Sequence, residues 1–231
     1  MADRHSVLSL RDVVLAERRT ARSGHLNLEL GHGEAAVLEV GEEADMDQFV
    51  DLCLGLTDPV SGDVVCMDTL WRDQSYADAL ARRATIGTLA GTLAWPVHVS
   101  VAEAVMTPSL HHGGDELAQL TVRAALLARR FGLPGLPVGN REAVAMGQLV
   151  RAACIRAFLG KPDFVLIADP TLERMAELAL PLAHAIREVQ DRGGAVLWIV
   201  ESIGAPAARY VMPQHALRYG DRGLVSLQRA A

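Results

Sequence analysis

The amino-acid sequence predicts an α/β fold in which buried strands alternate with helices. Two continuous apolar runs, Phe164–Ala168 and Ala195–Val200, have the length and composition of strands that are covered on both faces. A helical, alanine-rich stretch over residues 95–159 interrupts the alternation. The 231 residues are 50% apolar and 22% charged, which suits one α/β domain or two small ones with a sizeable core.

The overall charge and the cysteine content narrow the class of protein. A net charge of −6 at pH 7 argues against a nucleic-acid partner. The cysteines at 53, 66 and 154 stand singly, which indicates reduced core residues in a cytosolic protein. Charges within the first dozen residues argue against a secretory signal, and no apolar run approaches 18 residues. We therefore expect a cytoplasmic protein whose contact with a membrane would go through a partner.

Apolar periodicity in the first part of the chain predicts short strands around one early helix. Period-two alternation indicates strands, and the cluster of Asp, Pro, Ser and Gly at residues 57–62 indicates a turn. The predicted elements are strands at 6–17, 26–30 and 35–40, a helix that carries the apolar residues of 49–56, a strand at 63–67, a helix at 76–83 and a strand at 84–89.

The rest of the chain is predicted to be helical and then to return to strands. Ser100, with Glu103 three residues later, is a plausible capping box at a helix start. The predicted elements are helices at 99–106, 115–130, 142–159 and 172–191, strands at 164–168 and 195–200, and a β pair at 215–219 and 224–227.

The stretch over residues 37–56 is the candidate functional site. A buried strand, a turn at Gly41 and a helix form the geometry in which a phosphate-binding loop presents backbone N–H groups to an anion. The motif G-x-x-x-x-G-K-[ST] is nevertheless missing, because no second glycine, lysine or hydroxyl follows. After Gly41 the chain continues with Glu42, Glu43, Ala44, Asp45, Met46, Asp47 and Gln48.

Six stretches match, in order and spacing, the flanks of the motifs of one protein family. They are Gly33-Glu34, CLGLTDPVSGDV at 53–64, RRATIG at 82–87, VSVAEAV at 99–105, MGQ with RAACIRAFLGKP at 146–148 and 151–162, and FVLIADPT at 164–171. Over nearly its whole length the chain thus resembles the nucleotide-binding subunits of ATP-binding cassette (ABC) transporters. The resemblance implies a single P-loop NTPase-like (RecA-like) domain with an antiparallel β subdomain. Residues 1–90 and 160–231 would form the core, and 91–159 the helical subdomain.

The motifs themselves depart from the family pattern. In the family, a phosphate-loop lysine neutralises the β- and γ-phosphates and the next hydroxyl holds Mg²⁺. The resemblance puts the lysine at Met46 or Asp47, the hydroxyl at Asp47 or Gln48, the metal-contacting glutamine at Gly91, the Walker B aspartate at Ala168, the general-base glutamate at Asp169 and the switch histidine at Glu201. The signature LSGGQ becomes Val144, Ala145, Met146, Gly147 and Gln148. No aromatic residue stands at 6–17 where the family stacks adenine.

These departures predict that ATP binds weakly or not at all. Carboxylates at 42, 43, 45 and 47 occupy the loop where a polyanion should dock, and with the missing lysine they should cost about 4 kcal/mol, or about a thousandfold in affinity. Asp45 or Asp47 could accept the free N–H groups of the helix N-terminus and so fill the anion site with a carboxylate. We expect neither a bound cofactor nor a metal.

The resulting interpretation is a degenerate ABC subunit, a pseudo-ATPase, that serves as a structural or regulatory partner of a membrane permease. By resemblance, the permease would contact residues 92–101, and the chain would pair with a copy of itself or with an intact ABC ATPase at the inner face of the membrane. The pattern after Trp95 is faintly similar to lipid-trafficking ABC subunits. Two alternatives stay open. One is a weakly active ATPase that uses Asp169, and the other is a soluble regulator that binds a different molecule in the vacated cleft.

Overall fold

The computed structural model describes residues 6–16, 24–41, 43–90, 95–112, 116–168, 172, 175–203 and 213–227. Within these residues the chain forms two sheets and a set of α-helices. In chain order they are β1 (Ser6–Val14), β2 (Leu26–Gly31), β3 (Ala35–Glu39), α1 (Glu43–Cys53), β4 (Ser61–Cys66), β5 (Thr69–Leu70), α2 (Tyr76–Ala84), β6 (Ile86–Ala90), α3 (Val101–His112), α4 (Leu117–Arg130), α5 (Met146–Leu159), β7 (Phe164–Ala168), α6 (Ala179–Asp191), β8 (Ala195–Val200), β9 (His215–Gly220) and β10 (Gly223–Ser226). The prediction of an α/β fold is confirmed.

The larger sheet has six strands in the order β10-β9-β3-β8-β7-β6. Its inner pairs, β9 with β3, β3 with β8, β8 with β7 and β7 with β6, are parallel, and β10 closes the edge antiparallel to β9. Every residue of β7 and β8 is buried, which explains why these two strands are uninterrupted apolar runs in the sequence.

The second sheet is antiparallel, in the order β2-β1-β4-β5, and helix α1 lies between the two sheets. Phe49 and Leu52 of α1 belong to one apolar cluster that includes side chains from both sheets. From the larger sheet the cluster takes every second residue of the central strands, such as Leu38, Leu166 and Leu197. The pleat therefore assigns one face of the larger sheet to α1 and the second sheet.

The opposite face of the larger sheet is covered by α6 and by the helical region α3–α5. Its cluster contains the alternate strand residues, such as Val37, Ile167 and Trp198, together with Leu120 of α4 and Ile155 of α5. Helix α5 supplies nine buried residues, which gives it the most enclosed position of the three helices. The division into residues 1–90 with 160–231 and 91–159 stays a prediction.

Several predicted boundaries were wrong, each for a local reason. The helix expected at 142–159 begins at Met146, because residues 141–144 form a turn in which Ala143 N–H donates to the Asn140 backbone and side-chain oxygens, both at 3.1 Å. The strand expected at 84–89 begins at Ile86, since Ala84 still belongs to α2.

Two other predicted helices differ in length or continuity. The helix expected at 172–191 is interrupted at Met175, whose ψ of 75° is not helical, and a 3₁₀ turn at Ala176–Leu178 leads into α6. The helix expected at 99–106 runs to His112, with Pro108 inside it. It begins at Val101, and the predicted capping box is confirmed, because Glu103 accepts a 2.8 Å hydrogen bond from the Ser100 N–H and the Ser100 hydroxyl accepts one of 3.1 Å from the Glu103 N–H.

Candidate functional site

The carboxyl ends of β3, β8 and β7 form one edge of the larger sheet, because these strands are neighbours and parallel. Open α/β sheets bind ligands at this edge. Gly41, Ala168 and Glu201, which the sequence assigned to the candidate site, stand at the ends of these three strands or within two residues after them. The topology therefore brings three of the predicted positions to a common edge.

The connection between β3 and α1 is short. Strand β3 ends at Glu39 and α1 begins at Glu43, which leaves the three positions 40, 41 and 42 between them. The Val40 N–H still donates to the Val200 carbonyl at 3.0 Å, so the chain remains tied to the sheet until Gly41. Gly41 has a φ of +81°, a conformation that favours glycine. Glu42 lies outside the described residues.

Helix α1 occupies the positions that the phosphate-loop lysine and hydroxyl would take. Met46 is 1% exposed and packs in the core between the sheets. Asp47 is exposed, and the Gln48 side-chain amide donates to the Ala16 carbonyl at 2.9 Å. Asp45 is the third residue of α1 and lies in its first turn, where an acid interacts favourably with the helix dipole, whereas Asp47 lies beyond that turn. That a carboxylate fills the anion site stays a prediction, and Asp45 is the better placed of the two.

Glu39 is a site residue that the sequence reasoning missed. Its carboxylate accepts a 2.7 Å hydrogen bond from the Arg218 guanidinium on β9 and one of 3.0 Å from the Ile203 backbone N–H. Its side chain is 16% exposed against 56% for Arg218, so the ion pair sits at the border of the core. Glu39 thereby ties the segment after β8, which contains Glu201, to β9. The signal in the sequence was a single acid that ends an otherwise apolar strand.

The positions that resemble Walker B and the glutamine loop follow two neighbouring strands. Ala168 ends β7, is buried, and stands opposite Ala90, the last residue of β6. A methyl group cannot coordinate a metal. Gly91 and Asp169 come directly after these strands and lie outside the described residues. Glu201 follows β8 and is half-buried.

The signature-like stretch of residues 144–148 lies at the start of α5. It does not directly follow any of the strands that form the sheet edge described above. Ala145 is the N-cap and makes no side-chain hydrogen bond to the helix, and Met146 is 48% exposed. Gln148 is exposed, Gly147 is partly buried, and Val144 packs against the helical core. The structure thus places a helix N-terminus here, with none of the hydroxyl groups of the family's signature.

Four cavities of about 190 to 440 Å³ lie elsewhere on the molecule. Residues 40–48 line none of these four. Within the described part of the chain, no group of three His, Cys, Asp or Glu side chains is arranged to hold a metal ion. No helix of the described residues is long and apolar enough to cross a bilayer. The described part of the edge therefore offers carboxylates, a paired arginine and apolar groups.

Comparison with known proteins places these observations in a family context. No family model matches the chain. A putative hemin import ATP-binding protein, HrtA of Staphylococcus aureus, is 24% identical over 163 residues, which cover 71% of this chain and 73% of that protein. The maltose/maltodextrin import ATP-binding protein MalK of Klebsiella aerogenes is 27% identical over 190 residues, covering 82% of this chain and 62% of that protein.

Solved structures resemble the chain over a larger share of its length. The dimeric structure of MJ0796, a bacterial ABC transporter cassette, superposes with a TM-score of 0.80 at 16% identity, covering 96% of this chain and 99% of that one. A post-hydrolysis state of the same cassette, bound to ADP and Pi, gives a TM-score of 0.77 over the same shares. The predicted P-loop NTPase-like fold is confirmed as that of ABC cassettes.

Proposed function

Because this chain belongs to the family of ATP-binding subunits of ABC transporters, we propose that it works as a subunit that no longer uses ATP. Its role would be structural or regulatory, in a complex with a membrane permease. The support comes from the loop after β3, from the contacts around Glu39 and from the surface near Trp95.

The observation that carries the proposal is the length of the β3–α1 connection. A phosphate loop wraps a polyphosphate with the backbone of an eight-residue motif that includes a lysine. Here three positions separate the strand from the helix, and the lysine position falls within α1, on Met46 in the core or on exposed Asp47. A triphosphate would meet no wrapping backbone and the carboxylates of Asp45 and Asp47. We therefore expect an affinity about a thousandfold below that of a working site, or about 4 kcal/mol.

The contacts of Glu39 support a site that is organised without nucleotide. In the family, a switch histidine stands at the position of Glu201, in the segment directly after β8. In this chain Glu39 already supplies a fixed carboxylate to the Ile203 N–H and to Arg218. Hydrogen bonds to a charged group contribute more than neutral ones, so this arrangement would hold the segment after β8 in place without a ligand.

We propose that the permease contacts the described part of the 92–101 region, residues 95–101, while residues 92–94 lie outside the described residues. Trp95 is buried, and the Arg156 guanidinium lies 4.4 Å from its ring centroid. This anchor presents Val97 and Val99, which are 48% and 37% exposed, to the surface. Exposed apolar side chains that lie together at a surface are typical of a protein contact. Such a contact would hold the chain at the inner face of the membrane.

We further propose pairing with an intact ABC ATPase rather than with a second copy. The MJ0796 cassette is described as a dimer, and members of the family lend signature motifs to each other's ATP sites. Two copies of this chain would combine two shortened loops with two signature stretches that lack the serine. An intact partner would still supply a lysine-bearing loop of its own. Lipid as the cargo stays a prediction from the sequence.

Calorimetric titration of Mg-ATP into the purified chain tests the proposal. We expect no saturable heat, which corresponds to a Kd weaker than about 1 mM. An intact ABC ATP-binding subunit under the same conditions is the positive control. A micromolar Kd for this chain would overturn the proposal.

Phosphate release separates the proposal from the weakly active alternative. The wild-type chain should release phosphate at the rate of a protein-free blank, and the variant Asp169→Asn should behave in the same way. Phosphate release by the wild type that disappears in Asp169→Asn would instead establish a residual ATPase with Asp169 as its base.

A further inference from the structure

A second surface, which the proposed function does not use, lies between α4, the end of α5 and α6. It contains a cavity of about 190 Å³. Leu127, Phe158 and Val189, all buried, form part of its lining, and the exposed Leu126 stands beside them. We call it the α4–α6 cavity. Its apolar lining is large enough for one ring or one branched aliphatic side chain, since an apolar cavity of about 150 Å³ holds benzene.

The rim of the α4–α6 cavity is strongly cationic. The charged lining residues are Arg123, Arg130, Lys161, Arg192 and Glu188. Four cations therefore face one carboxylate, in a chain whose net charge is −6. The sequences of α4 and α5 contain arginines but no acidic residue. The two rim arginines on α4, Arg123 and Arg130, therefore have no acidic residue within α4 or α5 to offset their charge.

The single carboxylate of the rim is already engaged. Glu188 accepts two hydrogen bonds of 2.7 Å from the guanidinium of Arg130. The hydrogen bond from Arg130 lowers the pKa of Glu188, with a further contribution from nearby Arg192. Both oxygens of the Glu188 carboxylate accept a hydrogen bond from Arg130. Glu188 therefore forms no second bidentate pair with another cation of the rim. The rim keeps an excess of positive charge.

Lys161 is the rim cation that lies in the connection between α5 and β7. It is exposed and has a φ of +53°. It is also the only lysine of the chain. Its amine therefore provides a chemical probe of this surface alone, apart from the N-terminal amine.

We propose that the α4–α6 cavity is a docking site for an acidic segment of a partner protein, which inserts one aromatic or branched aliphatic side chain between flanking carboxylates. The apolar lining fits the inserted side chain, and the cationic rim fits the carboxylates. The volume is below the ~300–1,000 Å³ of sites for drug-sized ligands, which favours a single side chain over a free small molecule. A concave cavity with an apolar floor also suits a peptide segment better than the flat surface of a bilayer.

The first test uses the wild-type chain after ¹³C-dimethylation of Lys161, which preserves its charge. The probe is the capped peptide Ac-Glu-Asp-Phe-Glu-Asp-NH₂, titrated while the Lys161 methyl signal is followed by NMR. We expect a saturable shift, with at least about tenfold weaker binding for the Gln/Asn version and for the version with Ala in place of Phe. Raising the salt from about 50 to about 500 mM should weaken binding at least fivefold.

A matched pair of variants locates the site. Arg192→Gln should weaken peptide binding at least fivefold, because it removes a rim cation. Arg72→Gln is the control, since Arg72 is an exposed arginine paired with Asp63 in the second sheet, and it should leave binding unchanged. Both side chains are exposed, so neither variant should impair folding.

Three outcomes would overturn the inference. They are no saturable shift with the acidic peptide, equal binding of the neutral peptide, and binding to phosphatidylglycerol vesicles that depends on Arg192 while the peptide fails to bind. The last result would assign the surface to anionic lipid instead. The measurements contain no ATP and no permease, so their result is separate from that of the ATP titration.

Discussion

The two ends of helix α1 differ in how tightly they are built. The corner after α1 is closely packed. Gly55 has a φ of +60°, and a Cβ there would overlap the Trp71 ring. Arg83 donates to the Leu54 and Gly55 carbonyls at 2.7 and 2.6 Å and lies over the same ring. At the corner before α1, Gly41 has a φ of +81°, but a Cβ there would meet nothing within 4 Å.

This difference separates residues that the fold needs from residues that a ligand would need. The corner after α1, where residues 53–64 and 82–87 resemble the family pattern, is held together by the packing of Gly55, Trp71 and Arg83 against one another. In a working subunit, a bound phosphate would occupy the corner before α1. In this chain few protein atoms pack against Gly41 there, since a Cβ would meet nothing within 4 Å. Loss of the phosphate-binding groups there would therefore leave the fold intact, and the proposal of a nucleotide-free subunit depends on this separation.

The largest effect should come from putting a lysine at a position where the resemblance expects one. Met46→Lys would place an ammonium group in the core between the sheets, because Met46 is 1% exposed. We expect a loss of about 4 kcal/mol in the free energy of unfolding, measured by urea denaturation, and no gain of ATP binding. Asp47→Lys is the control, since Asp47 is exposed, and should change stability by less than about 0.5 kcal/mol. ATP binding by either variant would contradict the separation.

The next largest effect compares the two glycines directly. Gly55→Ala should cost about 3 kcal/mol, because it combines a left-handed backbone with overlap of the Trp71 ring. Gly41→Ala should cost about 1 kcal/mol, since only the backbone conformation opposes it. Both values come from chemical denaturation at one temperature. Equal losses would show that the two corners do not differ in packing.

A smaller effect should follow from the removal of the Glu39 carboxylate. Glu39→Ala breaks the hydrogen bonds from Ile203 and Arg218 and should cost about 2 kcal/mol. The exposed pair of Arg187 and Asp191 is the control, and Asp191→Ala should cost less than about 0.5 kcal/mol. In amide hydrogen exchange, Glu39→Ala should also speed exchange of the Ile203 N–H. Unchanged exchange there would argue against a role of Glu39 in holding this segment.

The sequence was informative wherever a residue's neighbours along the chain decide its structure. Full burial of β7 and β8 follows from their apolar runs, and the capping box at Ser100 follows from two residues three positions apart. The interruption at Met175 could not be predicted in this way, because the periodicity on either side suits one continuous helix. The start of α5 was missed because the turn at Asn140 competes with the helix pattern.

The candidate site was predictable only in part. The order of the strands brings positions 41, 168 and 201 to one edge, and the family resemblance gave that arrangement. The role of Glu39 was not visible, because its partner Arg218 lies far along the chain and becomes a neighbour only through the register of β3 and β9. The core position of Met46 likewise depends on how α1 packs between the two sheets, whereas the resemblance only put the lysine position at Met46 or Asp47.

The smallest effect concerns the start of α3, whose cap is complete, in contrast to the start of α5, where Ala145 provides no side-chain cap. The hydrogen bonds from the Ser100 backbone and hydroxyl lower the pKa of Glu103. A carboxyl whose pKa is lower in the folded chain adds stability above its unfolded pKa, and that stability is lost as the pH falls through the folded pKa. Glu103→Gln should therefore make stability slightly less dependent on pH in the acidic range, and Ser100→Ala should raise the pKa of Glu103 toward its ordinary value. NMR titration of the Glu103 carboxyl carbon measures the second effect, and an unchanged pKa in Ser100→Ala would show that the Ser100 hydroxyl does not bind the Glu103 carboxylate in solution.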